Sequence, residues 1–311
     1  MMLYSAYFAG TILRRWDLRS GSEGQLTLER RTYLVTTILA YLFGFQLLSP
    51  FLYVFTADRL CPLFTGAMCA AGTLNANALG YPTLVLKLVN FFLAGLWLVL
   101  NYADNRAHDY PLIRRKCLLL LAMAPLVVAE AVSQAGFFLG LRADLITSCC
   151  GTLFSEEGRG LASDLAAAPL GPSRVAFFAT LGATVAAGVY SLRRGAGRYL
   201  FAGLSAGSFF VGLVAVLSFL SIYFYELPTH HCPFCLLQAE YGFVGYPLYL
   251  ALLGGGVGGA GVGVIEPFRG VPSLRAVVPA VQTRLTAFAS LCFSVVLALA
   301  AWGMLATDFT P

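Results

Sequence analysis

The residues richest in chemistry stand together in Thr229-His230-His231-Cys232-Pro233-Phe234-Cys235. Cys232 and Cys235 are three positions apart, a spacing that lets two thiols meet as a disulfide or point at one metal ion. His230 and His231 add two imidazoles, which ligate a metal when neutral and favour a nearby thiolate when protonated. The C-x-x-C spacing serves dithiol redox centres and metal sites alike. If the motif opens a helix, the positive helix end favours a thiolate, at Cys232 above all.

Cys61 and Cys69 bracket a short loop containing Pro62 and Gly66, suited to a structural bridge. Cys149 and Cys150 are adjacent. A disulfide between neighbours is strained, so these two suit separate partners or a soft metal ion. Cys117 and Cys292 fall inside apolar runs, where a thiol packs as a small hydrophobe.

The elements that must position these thiols are membrane spans. Of 311 residues, 59% are hydrophobic and 11% charged, and the mean hydropathy is +0.77. A soluble domain carries roughly 25% charged residues. The apolar runs are continuous rather than alternating, which excludes a lipid-spanning barrel. The fold class is therefore an all-α polytopic membrane protein with about seven spans at ~20 residues each. The expected spans are 33–55, 83–103, 117–141, 175–192, 199–225, 241–265 and 285–306. Residues 1–32 read as a cytoplasmic interfacial segment, too short in its apolar part to cross and lacking the features of a signal peptide. Residues 33–306 read as one transmembrane domain, followed by a short tail over 307–311.

Fifteen Lys and Arg fall on the N-terminal side of these spans, against Arg59, Arg142, Arg159 and Arg174 opposite. That asymmetry puts the N-terminus in the cytoplasm and the C-terminus outside, with a bacterial inner membrane as the expected setting. The net charge of +5 is a matter of topology and carries no nucleic-acid signal. The loops 57–82, 142–174 and 226–240 then face the periplasm, and they hold six of the eight cysteines. Thiols in that compartment can oxidise and stay oxidised.

Polar residues inside the spans are few. Glu130, with Gln134 one turn on, is a candidate proton relay, quinone-binding site or helix-packing contact. Lys87 in the second span is expected to snorkel outward, because by residue count it lies a couple of turns from Glu130 in depth. Gly255, Gly259 and Gly263 share one helix face, as do Gly203 and Gly207, a spacing that lets helices approach closely. Cys235 is followed by Leu236, so the c-type haem attachment motif is absent, as is a Walker A loop.

A dithiol at a span end, with further cysteine pairs on the same face, is similar in plan to the disulfide-bond-formation and vitamin K epoxide reductase groups of membrane thiol oxidases. That resemblance implies electron transfer from thiols to a quinone, although those groups are built on four-helix cores. The Cys149-Cys150 dipeptide resembles that of mercuric-ion transport membrane proteins. The first expectation is a periplasm-facing thiol–disulfide oxidoreductase. Cys232 would be the nucleophile, Cys235 the resolving thiol, and Cys149/Cys150 or Cys61/Cys69 the shuttle pair. A quinone near Glu130 and Gln134 would take the electrons, and a periplasmic thiol protein would be the partner. The alternative is a membrane protein that binds or transports copper, zinc or mercury on His230, His231, Cys232 and Cys235. A further alternative is a disulfide-stapled subunit of a larger membrane complex.

Overall fold

The computed structural model describes residues 1–17, 20, 22–142, 146–147, 165 and 168–307. These form helices, with no strand among the described residues. In chain order they are α1 (Met2–Arg15), α2 (Glu23–Leu60), α3 (Ala70–Leu74), α4 (Gly80–Asp104), α5 (Ile113–Leu139), α6 (Leu170–Arg194), α7 (Arg198–Ala215), α8 (Ser221–Tyr225), α9 (Gly245–Ile265) and α10 (Val277–Leu305). A π-helical stretch, Val216–Leu220, joins α7 to α8. Seven of the resulting helical segments are long and apolar enough to cross a membrane. Helix is the natural outcome for such runs, since in lipid it satisfies each backbone N–H and C=O internally. The hairpin between α6 and α7 is tight because Gly195 and Gly197 both adopt left-handed backbone, at φ 65° and 73°. Arg193 and Arg194 close α6, where positive charge complements the helix dipole.

Several expected boundaries shift. The first spanning helix begins at Glu23, and the last begins at Val277, which brings Arg284 into a helix. Hydropathy marks only the part of a helix that touches lipid, whereas the hydrogen-bonded spiral continues into polar sequence. α9 begins at Gly245 rather than 241, because 3₁₀ turns precede it.

The chain divides into two compact units, Met1–Tyr53 with Leu79–Gly140 and Val264–Val281, and Val54–Ala78 with Leu141–Gly263 and Gln282–Pro311. In the first unit, α1 buries Ser5, Phe8, Ala9 and Ile12. The last three join Val35, Leu39, Phe43, Trp97, Ile113, Cys117 and Leu120 in one apolar cluster.

The first unit also buries two ion pairs. Lys87 does not snorkel: its Nζ lies 2.8 Å from Glu130 Oε1, with Lys87 1% and Glu130 4% exposed. Ser49 Oγ accepts a second Lys87 proton at 2.6 Å. Gln46 Nε2 and Asn90 Nδ2 both donate to Glu130 Oε2 at 2.6 Å. The expected difference in depth between Lys87 and Glu130 disappears once the helix ends are placed. α4 starts three residues before the expected 83 and α5 stops two before the expected 141, and both errors had pulled the charges apart. Lys116, which the expected spans leave in the loop between 103 and 117, is likewise buried, with its Nζ 2.7 Å from Asp104 Oδ2 and 3.0 Å from Asn101 Oδ1.

In the second unit, small residues set the helix spacing. A Cβ on Gly259 would meet Ser205 Cβ at 2.1 Å, and one on Gly263 would meet Ala202 Cβ at 2.9 Å, so α9 lies close against α7. Gly255 faces the Phe293 ring of α10, 3.0 Å from its would-be Cβ. The Gly203 and Gly207 face does not pack this way, since a Cβ there meets nothing closer than 4.0 Å.

Removing one member of a buried ion pair leaves the other charge stranded. Lys87→Met is expected to lower stability by about 3–5 kcal/mol, and adding Glu130→Leu to recover most of it. Thermal unfolding in detergent checks this; equal losses for the single and double variants would contradict the pairing.

Candidate functional site

The site lies in the second unit, where two loops bring three sulfurs together. Cys69 Sγ is 3.6 Å from Cys232 Sγ, and the sulfurs of Cys69, Cys232 and Cys235 all lie within 4.8 Å of one another. His230 Nε2 stands 3.4 Å from Cys235 Sγ. Cys69 and Cys232 are each 0% exposed and Cys235 4%, so the cluster is closed to bulky partners.

The Cys232–Cys235 segment does not open an α-helix as the sequence suggested. Cys232 to Phe234 are coil and turn, and Cys235–Leu237 form a single 3₁₀ turn. The loop is shaped by backbone instead. Glu226, at φ 52°, reverses the chain at the end of α8, and Gly242 and Phe243, at φ 62° and 55°, turn it back toward α9. At Gly245 a Cβ would lie 2.9 Å from the carbonyl carbon and oxygen of Leu236, so the loop backbone passes directly over the first residue of α9. Two tyrosines fix the carbonyls of the motif: Tyr225 Oη donates to Cys232 O, and Tyr249 Oη donates to Pro233 O at 2.6 Å.

Cys69 is held from the other side by Asp58. Its Oδ1 accepts from Ala70 N at 3.1 Å and from Gln238 Nε2 at 3.0 Å. The same Gln238 Nε2 donates to Met68 O at 3.1 Å, so the residues flanking Cys69 are tied to the loop that follows Cys235. The preceding loop is pinned at Gly66, φ 89°, whose would-be Cβ meets Thr147 O at 2.5 Å, while Thr147 N donates to Thr65 O at 3.0 Å. Sequence reading missed Asp58 and Gln238. The only signal was one carboxylate at a span end, three residues before Cys61.

The two histidines separate. His230 packs edge-on to Tyr225, with ring centroids 4.6 Å apart. Desolvation holds its imidazole below its ordinary value, opposed by the Cys69 sulfur and reinforced by His231. Burial thus favours the neutral imidazole of His230, whose lone pair suits ligation. His231 is buried, and its Nδ1 is 2.9 Å from Leu217 O, within the π-helical stretch. A π-bulge breaks the regular ladder and leaves such a carbonyl open to other donors, which makes His231 a brace between loop and helix.

Cys61 is half-buried in its own 3₁₀ turn and takes no part in the sulfur triangle; Cys69 faces Cys232. Cys149 and Cys150 lie outside the described residues. Cys117 and Cys292 sit in helix interiors. Glu130 and Gln134 belong to the first unit, where Gln134 is half-buried and the groups bonded to Glu130 are Gln46, Lys87 and Asn90.

No protein-family model, curated protein or solved structure matches this chain.

Asp58→Ala removes the acceptor shared by the two loops, and Gly245→Ala drives a methyl into the Leu236 backbone. Each is expected to cost about 1–3 kcal/mol. Alkylation of Cys69 should quicken in the first variant and that of Cys235 in the second. Unchanged labelling rates, followed by mass spectrometry, would show that neither residue positions its sulfur.

Proposed function

We propose that this membrane protein holds a soft or borderline d¹⁰ metal ion, of the zinc or copper(I) class, on Cys69, Cys232 and Cys235, with His230 as fourth ligand. The observation that carries this reading is the sulfur triangle with its neighbouring imidazole. A tetrahedral ion with metal–sulfur bonds of about 2.3 Å and a metal–nitrogen bond of about 2.0 Å sets sulfurs about 3.8 Å apart and sulfur from nitrogen about 3.5 Å. The separations of 3.6 Å between Cys69 and Cys232 and 3.4 Å between His230 and Cys235 suit those edges. Thiolates and imidazole are the donors such ions prefer. Burial of all three cysteines suits a closed site better than exchange with a protein thiol. Four protein ligands leave no open position for a reacting water, so the site holds or hands on its ion rather than hydrolysing a substrate. The charge asymmetry supports a periplasm-facing site in a bacterial inner membrane.

The test is elemental analysis of the full chain purified without chelator. About one zinc or copper per chain is expected, lost in Cys69→Ser, Cys232→Ser and Cys235→Ser and weakened in His230→Ala. Cys61→Ser should retain it. A metal-poor sample whose thiols remain fully titratable, and which takes up neither ion on addition, would sink the proposal.

The contact between Cys69 and Cys232 favours a second reading, a thiol–disulfide oxidoreductase. Joining the two sulfurs releases two protons and two electrons, which a membrane quinone would accept as it becomes quinol. Mapping of a Cys69–Cys232 bridge in the isolated chain, reduced only when quinol is supplied, would favour this reading over the metal site.

A further inference from the structure

The first unit contains a cleft that neither reading uses. It has a volume of about 590 Å³ and lies between α1 and the first turns of α2. Its walls carry Arg15 and Arg31, and also Tyr4, Tyr7 and Phe8. α2 has 38 residues, about 57 Å at 1.5 Å per residue, against a hydrocarbon core of about 30 Å. The continuous apolar run begins near Tyr33, so the turns from Glu23 to Arg31 stand at or beyond the membrane surface. α1 is bound to this overhang: Asp17 N donates to Gln25 Oε1 at 3.3 Å, and Phe8 and Ile12 share a cluster with Val35 and Leu39. On α1, Leu3 is 71% exposed and Tyr7, on the cleft side, 76% exposed, large apolar groups suited to the level where lipid headgroups meet chains.

We infer that this cleft is a binding site for an anionic phospholipid, its phosphate held by Arg15 and Arg31 and the start of its acyl chains laid along Tyr4 and Tyr7. Three observations support that ligand class. The first is charge. Among the described residues, neither Arg15 nor Arg31 meets a carboxylate within ion-pair distance, and both are exposed. Guanidinium groups match phosphate in shape and charge. The second is amphipathy. Tyr4 stacks on Phe8, ring centroids 6.3 Å apart, beside the two arginines, so one cleft offers both a cationic and an apolar wall. The third is position at the end of a spanning helix, where lipid is the most abundant molecule carrying both chemistries. Asp17 also lines the cleft and repels an anion, which assigns the phosphate to the side away from that carboxylate. Thr11 and Thr27 line the remaining wall; the Thr11 hydroxyl donates to Tyr7 O at 3.3 Å, while that of Thr27 can donate to a headgroup oxygen.

Native mass spectrometry of the full chain, titrated with phosphatidylglycerol or phosphatidylcholine, tests the site. Phosphatidylglycerol should be retained preferentially. Arg15→Gln or Arg31→Gln should each weaken retention roughly five-fold, and the two together roughly thirty-fold. The control is Arg14→Gln with Arg30→Gln, an equal change of charge on neighbouring residues that do not line the cleft. Unfolding temperatures of all variants show that folding is intact. An equal loss from the control pair would mean diffuse surface attraction, and would overturn the site. Displacement of the lipid by millimolar inorganic phosphate, with no difference between lipid and soluble phosphodiester, would overturn the assignment to a lipid.

Discussion

Water is missing from the interior of a bilayer, and that absence governs every polar choice in this chain. A charge inside the spans must bring its own solvent in the form of other side chains. The first unit meets this demand around Glu130. One carboxylate oxygen faces Lys87, and the other receives amide protons from Gln46 and Asn90. Lys116 is treated the same way by Asp104 and Asn101. Such networks do little for net stability compared with well-packed hydrocarbon, but they fix which helix faces meet. With three donors on Glu130, the network reads as a structural join between α2, α4 and α5.

The second unit applies the same logic to a site that lies beyond the spans. Its sulfurs are buried, and their surroundings are held by bonds to the backbone. Tyr225 and Tyr249 hold the carbonyls of Cys232 and Pro233, while Asp58 and Gln238 hold the chain around Cys69. Groups that orient ligands from outside the coordination shell commonly set a metal's affinity. Enclosure also limits chemistry. A large reaction partner cannot approach a thiol with no exposed surface, whereas an ion needs only a narrow route.

Much of the scaffold was legible in the sequence because hydropathy depends on composition, and composition is local. The seven spans and the gathering of cysteines in their connecting loops follow from runs and counts. What was not legible depends on three-dimensional closeness. The partnership of Cys69 with Cys232 joins residues 163 positions apart and has no periodic signature. The pairing of Lys87 with Glu130 turned on helix ends that polar residues obscure. Asp58 looked like an ordinary residue at a span end, because its value lies in two hydrogen bonds made across the loops. The adjacent His230 and His231 read as one functional pair. Their backbones send one ring to Cys235 and the other to Leu217.

The separation between the two arms of the sulfur cluster bears on how the molecule is made. The arm carrying Cys69 leaves the ribosome long before the one carrying Cys232, and only the insertion of four intervening spans delivers the second arm. Until then Cys69 lacks the other two sulfurs of the cluster. Completion of the cluster therefore requires that every one of those spans has already been threaded through the bilayer.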